Sequence, residues 1–213
     1  MTYRRIGVIP AAGKAIRFGR IPKELLPLPD GRALIDHAVD RLQFCDRIVL
    51  VTSDEKLPFH QAIAGDRVTI VCQEGNEMFG AWMTACSLYK GDRYYMTMPD
   101  TYIDGSAFEG CPEAIEFALG LFDTYEPHRF GVLAEGGVRD KWDNAPVPAK
   151  AWGALMWSRK VYEEWAADKR LWDYTKAINN ALHYGLNTWN IGKYFDCADA
   201  GRYGELWDYL RSK

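Results

Sequence analysis

The chain has 213 residues, and its 48% hydrophobic and 14% aromatic content is enough to bury one substantial core. The 26 basic and 29 acidic residues almost cancel, which leaves a net charge of −3. This balance excludes the strongly basic surface that binding to nucleic acid or to an anionic membrane requires. We therefore expect a single domain, residues 1–213, that acts on small molecules as a monomer or a homo-oligomer.

The amino terminus and the cysteines both indicate a cytoplasmic protein. The apolar run before Pro10 is too short for a signal peptide or a membrane span. The cysteines are odd in number, widely spaced and without a CxxC pair, so we expect free thiols instead of disulfides or a zinc site. They are Cys45, Cys72, Cys86, Cys111 and Cys197.

In the first 135 residues, apolar β-branched runs alternate with segments of helical period. This alternation predicts an α/β fold with a largely parallel sheet. The predicted strands cover residues 5–11, 47–52, 67–73, 94–98 and 129–134. The predicted helices between them include residues 33–44, 78–89 and 112–125.

The pattern after residue 135 is less regular. Paired glycines at 136 and 137 and the prolines Pro146 and Pro148 predict an irregular excursion before the apolar run 151–157. The remaining predicted elements are helices at 161–167 and 171–184, a short strand near 194–195 and a terminal helix at 202–210. No repeat or linker divides the chain into independent domains.

Small residues directly after the first strand predict a phosphate-binding loop. Such residues let backbone N–H groups approach phosphate oxygens, and nearby cations stabilise the phosphate charge. The small residues are Ala11, Ala12 and Gly13, and the cations are Lys14, Arg17 and Lys23. The GxxxxGK[ST] pattern of P-loop kinases and the GxGxxG pattern of dehydrogenases are both absent, which disfavours these two classes.

This loop resembles the signature of nucleotidyltransferases with a GT-A-like fold, which is roughly AAGxGxRxxPxxPKxLLP. The matching residues are Ala11, Ala12, Gly13, Arg17, Pro22, Lys23, Leu25, Leu26 and Pro27. Two departures are Ala15, where the family has its second glycine, and Ile16, where Thr or Ser often follows. The resemblance is to the sugar-1-phosphate nucleotidyltransferases, which include glucose-1-phosphate thymidylyltransferases and UTP–glucose-1-phosphate uridylyltransferases.

The resemblance implies a three-layer, Rossmann-like fold with a mixed, mostly parallel sheet flanked by helices. It implies a nucleotide-binding half at residues 1–105, and an acceptor-binding half with a closing metal element at residues 106–213. Arg17 and Lys23 would be the catalytic cations, because they would stabilise charge on the α-phosphate and on the leaving pyrophosphate.

Acidic residues near two strand ends are candidates for a magnesium site. Asp100 follows a predicted strand, where α/β sheets usually hold their ligands, and the resembled family binds its metal with such an Asp. The match of the closing element implies Asp196 as the second ligand. The alternative is that Asp196 or Asp199 caps the terminal helix. Asp104 precedes a glycine and is better explained as a turn residue.

The nucleobase and the acceptor have weaker signals. Gln73 and Gly80 fit places where the family reads the base and packs under it, although a polar strand end and a helix start explain them equally well. Lys141 and Gly153 fit a loose match to the element that binds the acceptor, and a surface lysine is the alternative. The four histidines have no metal or nucleophile spacing.

Together these features predict a Mg²⁺-dependent enzyme that transfers a nucleotidyl group from a nucleoside triphosphate to a phosphorylated small molecule. A sugar 1-phosphate is the expected acceptor, and pyrophosphate is released. One alternative is a cytidylyltransferase acting on a non-sugar alcohol phosphate, for which the Asp196 element is not expected. Another is an inactive nucleotide- or sugar-sensing module, suggested by Ala15, Ile16 and the Cys197-Ala198 pair, where the family usually has Gly-Thr.

Overall fold

The structure is a computed structural model that describes residues 3–14, 22–63, 66–75 and 77–213. Its strands are β1 (Tyr3–Pro10), β2 (Arg47–Thr52), β3 (Val68–Cys72), β4 (Gly91–Thr97), β5 (Thr101–Asp104), β6 (Phe117–Thr124), β7 (Gly131–Ala134), β8 (Gly137–Asp140), β9 (Ala149–Ser158), β10 (Thr188–Asn190) and β11 (Lys193–Asp196). Its helices are α1 (Leu34–Asp40), α2 (Leu57–His60), α3 (Met78–Leu88), α4 (Arg159–Ala167), α5 (Tyr174–Ala181) and α6 (Ala200–Arg211). No described helix has the length and apolarity needed to cross a membrane.

A mixed central sheet organises the described part of the chain. Its strand order is β10-β6-β9-β4-β1-β2-β3, with β7 and β8 attached beside β9. The strands β4, β1, β2 and β3 are mutually parallel, whereas β9 runs antiparallel to both β4 and β6. The separate pair β5 and β11 is antiparallel. Helices flank the sheet, so the predicted α/β, Rossmann-like class with a mixed and mostly parallel sheet is confirmed.

The central strands are buried because apolar side chains cover both faces of the sheet. In β1, Ile6, Val8 and Ile9 are fully buried, and they belong to two different apolar clusters on the two sides. Continuous apolar runs of this kind are typical of parallel strands with helices on both faces. One cluster contains a group of aromatic rings, Trp82, Trp157 and Trp165, whose centroids lie 5.7–5.9 Å apart.

The predicted helix over residues 112–125 is wrong. The run rich in Ala and Leu has helical propensity, but it forms β6, which pairs with β9 along its whole length. The surroundings of Gly120 show why this segment forms a strand and not a helix. A Cβ there would lie 2.5 Å from Ile191 and 2.7 Å from Trp189, so the side chains of neighbouring segments already cover this strand. Packing over long sequence distances thus overrides local propensity.

The other predicted elements exist, most of them with shifted ends. The strand predicted at 47–52 has those limits, while the one predicted at 129–134 begins with a short 3-10 turn, Pro127–Arg129. The helix predicted at 33–44 ends early, at Asp40, and the terminal helix begins two residues early, at Ala200. Strands β5, β8, β10 and the β6 segment were missed. The apolar run at 151–157 lies in β9, and all five cysteines are free thiols.

Candidate active site

A cavity of about 490 Å³ opens at the carboxyl ends of β1 and β4. The carboxyl ends of parallel strands are the usual ligand site of α/β sheets. The segment after β1 and the segment after β4 form two of its walls, and residues of the β3–α3 connection form a third. The lining residues are Pro10, Ala11, Ala12, Gly13, Lys14, Lys23, Glu24, Lys56, Gln73, Glu77, Met78, Ala81, Met98, Pro99, Asp100 and Lys141.

The predicted phosphate loop begins at the edge of this cavity. The Ala11 N–H donates to the Val51 carbonyl oxygen at 2.7 Å, which extends the β1–β2 ladder to the start of the loop. Ala11 and Ala12 are buried, while Gly13 and Lys14 are exposed toward the cavity. The remaining loop residues 15–21, among them the predicted catalytic Arg17, lie outside the described residues.

Lys23 and Asp100 form an ion pair on the cavity wall. Lys23 lies in a short 3-10 helix, Lys23–Leu25, and Asp100 follows the end of β4. Burial alone would lower the pKa of Lys23, but the charge of Asp100 and its hydrogen bond raise the pKa above its ordinary value. Lys23 therefore stays protonated and can offer its charge to a bound phosphate.

Asp196, the second predicted metal ligand, lies beside Asp100. Strand β11 pairs with β5 so that Asp196 lies opposite Thr101, and the Cys197 N–H donates to the Asp100 carbonyl oxygen at 3.2 Å. Burial and the negative charge of Asp100 raise the pKa of Asp196. Arg129 partly offsets them, since its Nη2 donates to Asp196 at 2.8 Å.

The carboxylate pair fits a divalent cation of the magnesium type. The raised pKa of Asp196 shows that more positive charge beside the two carboxylates would be favourable. No group of three His, Cys, Asp or Glu side chains suitable for a metal occurs within the described ranges. An ion at Asp100 and Asp196 would therefore take its other ligands from water and phosphate, which is how Mg²⁺ is usually held.

A half-buried arginine supports the turn that carries Asp100. Arg41 of the α1 carboxyl end donates through Nη2 to the carbonyl oxygens of Met98, at 3.2 Å, and Thr101, at 3.0 Å. Burial lowers the pKa of this guanidinium to about 10. Since Met98 and Thr101 flank the turn, Arg41 fixes the backbone from which Asp100 projects. No local pattern in the sequence indicates this contact.

The two other candidate acids have structural roles. Asp104, at the end of β5, accepts hydrogen bonds from the Tyr209 hydroxyl and the Lys213 ammonium group. Asp199 is the N-cap of α6, and its side chain accepts from the Arg202 N–H at 3.0 Å. The helix-capping alternative therefore describes Asp199, whereas Asp196 faces Asp100 and Arg129.

Gln73 lines the cavity and lies next to Gly80 of α3, which is not itself a lining residue. Gln73 Nε2 donates to the Glu77 carbonyl oxygen at 3.3 Å, which ties the side chain to the start of α3. Its Oε1 is buried and has no hydrogen-bond partner among the described residues. A Cβ on Gly80 would lie 3.7 Å from that oxygen. The structure thus brings the two predicted base-binding positions together.

The two predicted acceptor residues are separated. Lys141 lines the 490 Å³ cavity, and its N–H donates to the Phe130 carbonyl oxygen at 2.9 Å. Gly153, in β9, lies under other side chains instead of on the cavity wall. A Cβ at Gly153 would lie 2.5 Å from the Tyr194 ring and 2.8 Å from Ile191.

A second cavity, of about 190 Å³, is lined by Asp196. The rings of Phe122 and Tyr194 stack there with centroids 4.0 Å apart, and Phe130 packs edge-on against Phe122. Gly153 makes this arrangement possible, because any larger residue would displace Tyr194. Arg129 also lines this cavity. The sequence prediction did not include Phe122, Tyr194 or Arg129, since only the folded sheet brings them beside Asp196.

Comparison with known proteins identifies relatives of this fold. The MobA-like NTP transferase domain matches residues 7–115, about half of the chain. A Bacillus anthracis structure assigned as a glucose-1-phosphate thymidylyltransferase, in complex with a sucrose, is 19% identical with a TM-score of 0.83, over 98% of this chain and 96% of that one. A UDP-glucose pyrophosphorylase complexed with UDP-glucose is 18% identical with a TM-score of 0.81, over 99% of each chain.

An inositol-1-phosphate CTP transferase from T. maritima is also similar, with 15% identity and a TM-score of 0.75, over 98% of this chain and 96% of that one. A comparison with the sequences of curated proteins finds no match. At identities of 15–19% the similar structures establish only the fold. The family match over residues 7–115 establishes the family to which the chain belongs.

Proposed function

Because the chain belongs to the MobA-like NTP transferase family and is a nucleotidyltransferase, we propose that it transfers a nucleoside monophosphate to a sugar 1-phosphate. The products would be a nucleotide-sugar and pyrophosphate. The observation that carries this proposal is the position of Lys23, Asp100 and Asp196 together beside the phosphate loop.

In the proposed reaction, an oxygen of the acceptor phosphate attacks the α-phosphorus of the triphosphate. A new P–O bond forms as the bond to pyrophosphate breaks, and the leaving group carries away the electron pair. Negative charge grows on the pyrophosphate and on the α-phosphate oxygens. Lys23, which its surroundings keep protonated, would stabilise this charge together with Arg17 and the loop N–H groups after Ala11. No general base is needed, because a phosphate oxygen is already ionised at neutral pH.

Asp100 and Asp196 would hold the divalent cation. When bound, Mg²⁺ would supply a Lewis acid that neutralises phosphate charge and orients the reacting groups. The side chains themselves contribute position: Arg41 fixes the turn of Asp100, and the β5–β11 pairing fixes Asp196. Arg129 balances the charge of Asp196 from the side of the second cavity.

The nucleobase would lie against Gln73, which lines the cavity next to Gly80. The Gln73 amide nitrogen is directed to backbone carbonyl oxygens, so its Oε1 is left to accept a hydrogen bond from a base edge. Gly80 has no side chain to separate the base from the start of α3. These two features support a base that presents an N–H donor toward Gln73.

The acceptor would extend from Lys141 to the second cavity. Lys141 would bind the acceptor phosphate, since it lines the first cavity with the phosphate-loop residues. The Lys141 N–H donates a hydrogen bond to the carbonyl oxygen of Phe130, and Phe130 lines the second cavity. The organic part of the acceptor would therefore lie against Phe130 and Tyr194. In this proposal Gly153 acts indirectly, by leaving room for the Tyr194 ring.

A second candidate function is cytidylyl transfer to a non-sugar alcohol phosphate. The likeness to the inositol-1-phosphate CTP transferase favours it, because that protein has a similar fold over nearly its whole length. The position of Asp196 beside Asp100 favours the sugar 1-phosphate, since the closing acid is expected on that branch. The retained Lys23, Asp100 and Asp196 disfavour an inactive sensing module.

The test is pyrophosphate release in the presence of Mg²⁺. The four common ribonucleoside triphosphates and dTTP are each combined with sugar 1-phosphates and with alcohol phosphates. Release that needs one triphosphate and one sugar 1-phosphate supports the proposal and names both substrates. Release only from CTP with an alcohol phosphate supports the second candidate. Triphosphate binding without release for any pair would contradict both enzymatic functions.

A further inference from the structure

A buried lysine joins the two ends of the phosphate loop. Lys56 Nζ donates to the Ala11 carbonyl oxygen at 3.1 Å, just before the loop, and to Glu24 Oε1 at 2.7 Å, just after it. Lys56 is 7% exposed and Glu24 is 1% exposed. The residues between these two contacts include Lys14, Arg17 and Lys23. A single ammonium group thus bridges the entry and the exit of the segment that carries the cations.

A histidine completes the network around Glu24. His60 Nε2 lies 3.1 Å from Glu24 Oε1, and His60 Nδ1 lies 2.8 Å from the Thr52 hydroxyl oxygen. Burial alone would raise the pKa of Glu24, but the hydrogen bond of His60 and the charge of Lys56 lower it below its ordinary value. Glu24 is therefore ionised, and the bridge to Lys56 is a buried ion pair. Thr52 ends β2 and His60 ends α2, so both are held by regular structure.

The network is a costly way to add stability. Buried ion pairs often contribute less than apolar side chains of similar size, because both charges must leave water. Lysine and glutamate are rarely this buried unless they are paired. What Lys56 provides that an apolar residue would not is a directional contact to both sides of one loop. Glu24 follows Lys23 directly, so its position determines where the Lys23 segment begins.

We propose that Lys56 is a positioning residue for nucleotidyl transfer, which sets the separation between Ala11 and Glu24. This inference rests on the function proposed above. By holding Glu24, Lys56 directs Lys23 toward Asp100, and by holding Ala11 it sets the direction of the chain as it enters the loop. The two ends of the loop, at Ala11 and Glu24, are then in position before the triphosphate binds, so that binding does not have to place them.

The variants for the test remove the bridge in two ways. Lys56→Met removes the cation but leaves Glu24 buried with only His60 beside it, which can unfold the chain. The double variant Lys56→Met with Glu24→Gln removes both charges while keeping similar shapes, so it should fold. Tyr94→Phe is the matched control. It removes a buried hydroxyl that accepts from the Gly91 N–H at 3.0 Å, at the end of β4 away from the cavity.

The kinetic readout compares the two substrates. For the double variant we expect the KM of the triphosphate to rise about tenfold and kcat to fall about tenfold, since a displacement of about 1 Å can cost about 100-fold in rate. The KM of the acceptor should stay within about twofold of the value of the unmodified protein, because the bridge touches only the triphosphate side. A general loss of stability would not separate the two KM values, and Tyr94→Phe should leave both unchanged.

The second readout is hydrogen exchange of the ligand-free protein. In the double variant, exchange should become faster at Ala11, Leu25 and Leu26, whose N–H groups are hydrogen-bonded in the structure. Peptides from β9 should be unchanged. Faster exchange confined to the loop ends, with the split in KM values, supports the proposal. Normal exchange there, or kinetics like those of the unmodified protein, would overturn it. Failure of the unmodified protein to bind triphosphate or release pyrophosphate would instead overturn the proposed function, while the exchange experiment still tests the bridge.

Discussion

The Nζ of Lys23 contacts the Asp100 carboxylate, so the cation that would stabilise the leaving group is paired with an acid that would hold the metal. The charge of Asp100 and its hydrogen bond raise the pKa of Lys23, and the ion pair holds both side chains in place before any ligand binds. Binding of a metal and a triphosphate would exchange these partners, with the metal on Asp100 and the phosphate on Lys23. The pair is thus formed in advance for both tasks.

Replacing Lys23 with alanine should reduce turnover by about 100-fold, because one charged contact to the developing charge is lost. The measurement is the rate of pyrophosphate release at saturating substrates. Lys160→Ala is the control, since Lys160 is exposed and lies over the Tyr184 ring, remote from the cavity lining. Near-normal turnover of Lys23→Ala would show that Lys23 is not the catalytic cation.

Replacing Asp100 or Asp196 with asparagine should weaken the metal site. We expect the Mg²⁺ concentration for half-maximal activity to rise about tenfold or more in each variant, because a neutral amide is a poorer ligand than a carboxylate. A titration of activity with Mg²⁺ measures this. Asp104→Asn is the matched control, since Asp104 is occupied by Tyr209 and Lys213. The same Mg²⁺ requirement in all three variants would contradict the assignment.

Replacing Gly80 with alanine should stabilise the protein and at the same time weaken triphosphate binding. Gly80 lies in α3 and a Cβ there makes only ordinary contacts, so the free energy of unfolding should increase by about 0.4–1 kcal/mol. If a nucleobase packs on Gly80, triphosphate affinity should nevertheless fall. Denaturant unfolding and calorimetric titration with the triphosphate measure the two effects. Unchanged affinity in a stabilised variant would exclude Gly80 from the base site.

Replacing Asp199 with alanine should lower the free energy of unfolding by about 1 kcal/mol, the usual value of an N-cap. Asp199→Asn should retain most of this stability, because an amide oxygen can also accept from the Arg202 N–H. Both variants should keep the Mg²⁺ requirement of the unmodified protein. A shifted requirement in Asp199→Asn would mean that Asp199, and not only Asp196, takes part in the metal site.

Ionised Glu24 should stabilise the folded protein near neutral pH, and this contribution to the free energy of unfolding should be lost in acid. Its pKa in the folded protein lies below the ordinary value of 4.5, so the folded state binds its proton less readily than the unfolded chain does. The stabilisation is therefore complete above about pH 4.5 and is lost as the pH falls toward the folded-state pKa. Unfolding of Glu24→Gln and of the unmodified protein, measured at several pH values, should differ most near neutrality and least in acid. A constant difference would show that ionisation of Glu24 does not matter.

Local sequence was sufficient where a local pattern determines the structure. The predicted strand at 47–52 and the start of α3 at Met78 have the expected limits. In each of these segments the pattern of apolar residues favours only one kind of element, a strand or a helix. Lys23, which the loop signature indicated as a site residue, lines the cavity. The family match over residues 7–115 includes this strand, this helix and Lys23.

Pairing between distant segments was not predictable. The run that forms β6 contains good helix formers, and only β9 and β10 make it a strand. Asp196 and Asp199 are both acids before a helix, and the β5–β11 register alone decides which one faces Asp100. Lys56 and Glu24 were missed because neither has a motif, and their partners are far away in sequence.

The aromatic group Trp82, Trp157 and Trp165 should give a circular dichroism signal that reports on the native packing of the interior. Indole rings held 5.7–5.9 Å apart and shielded from water couple their electronic transitions, so the near-ultraviolet circular dichroism should be intense and specific for the native packing. None of these rings lines the 490 Å³ cavity. The dichroism signal should therefore vanish on unfolding but stay constant during a substrate titration, so a variant that has lost activity can be checked for an intact interior in the same cuvette.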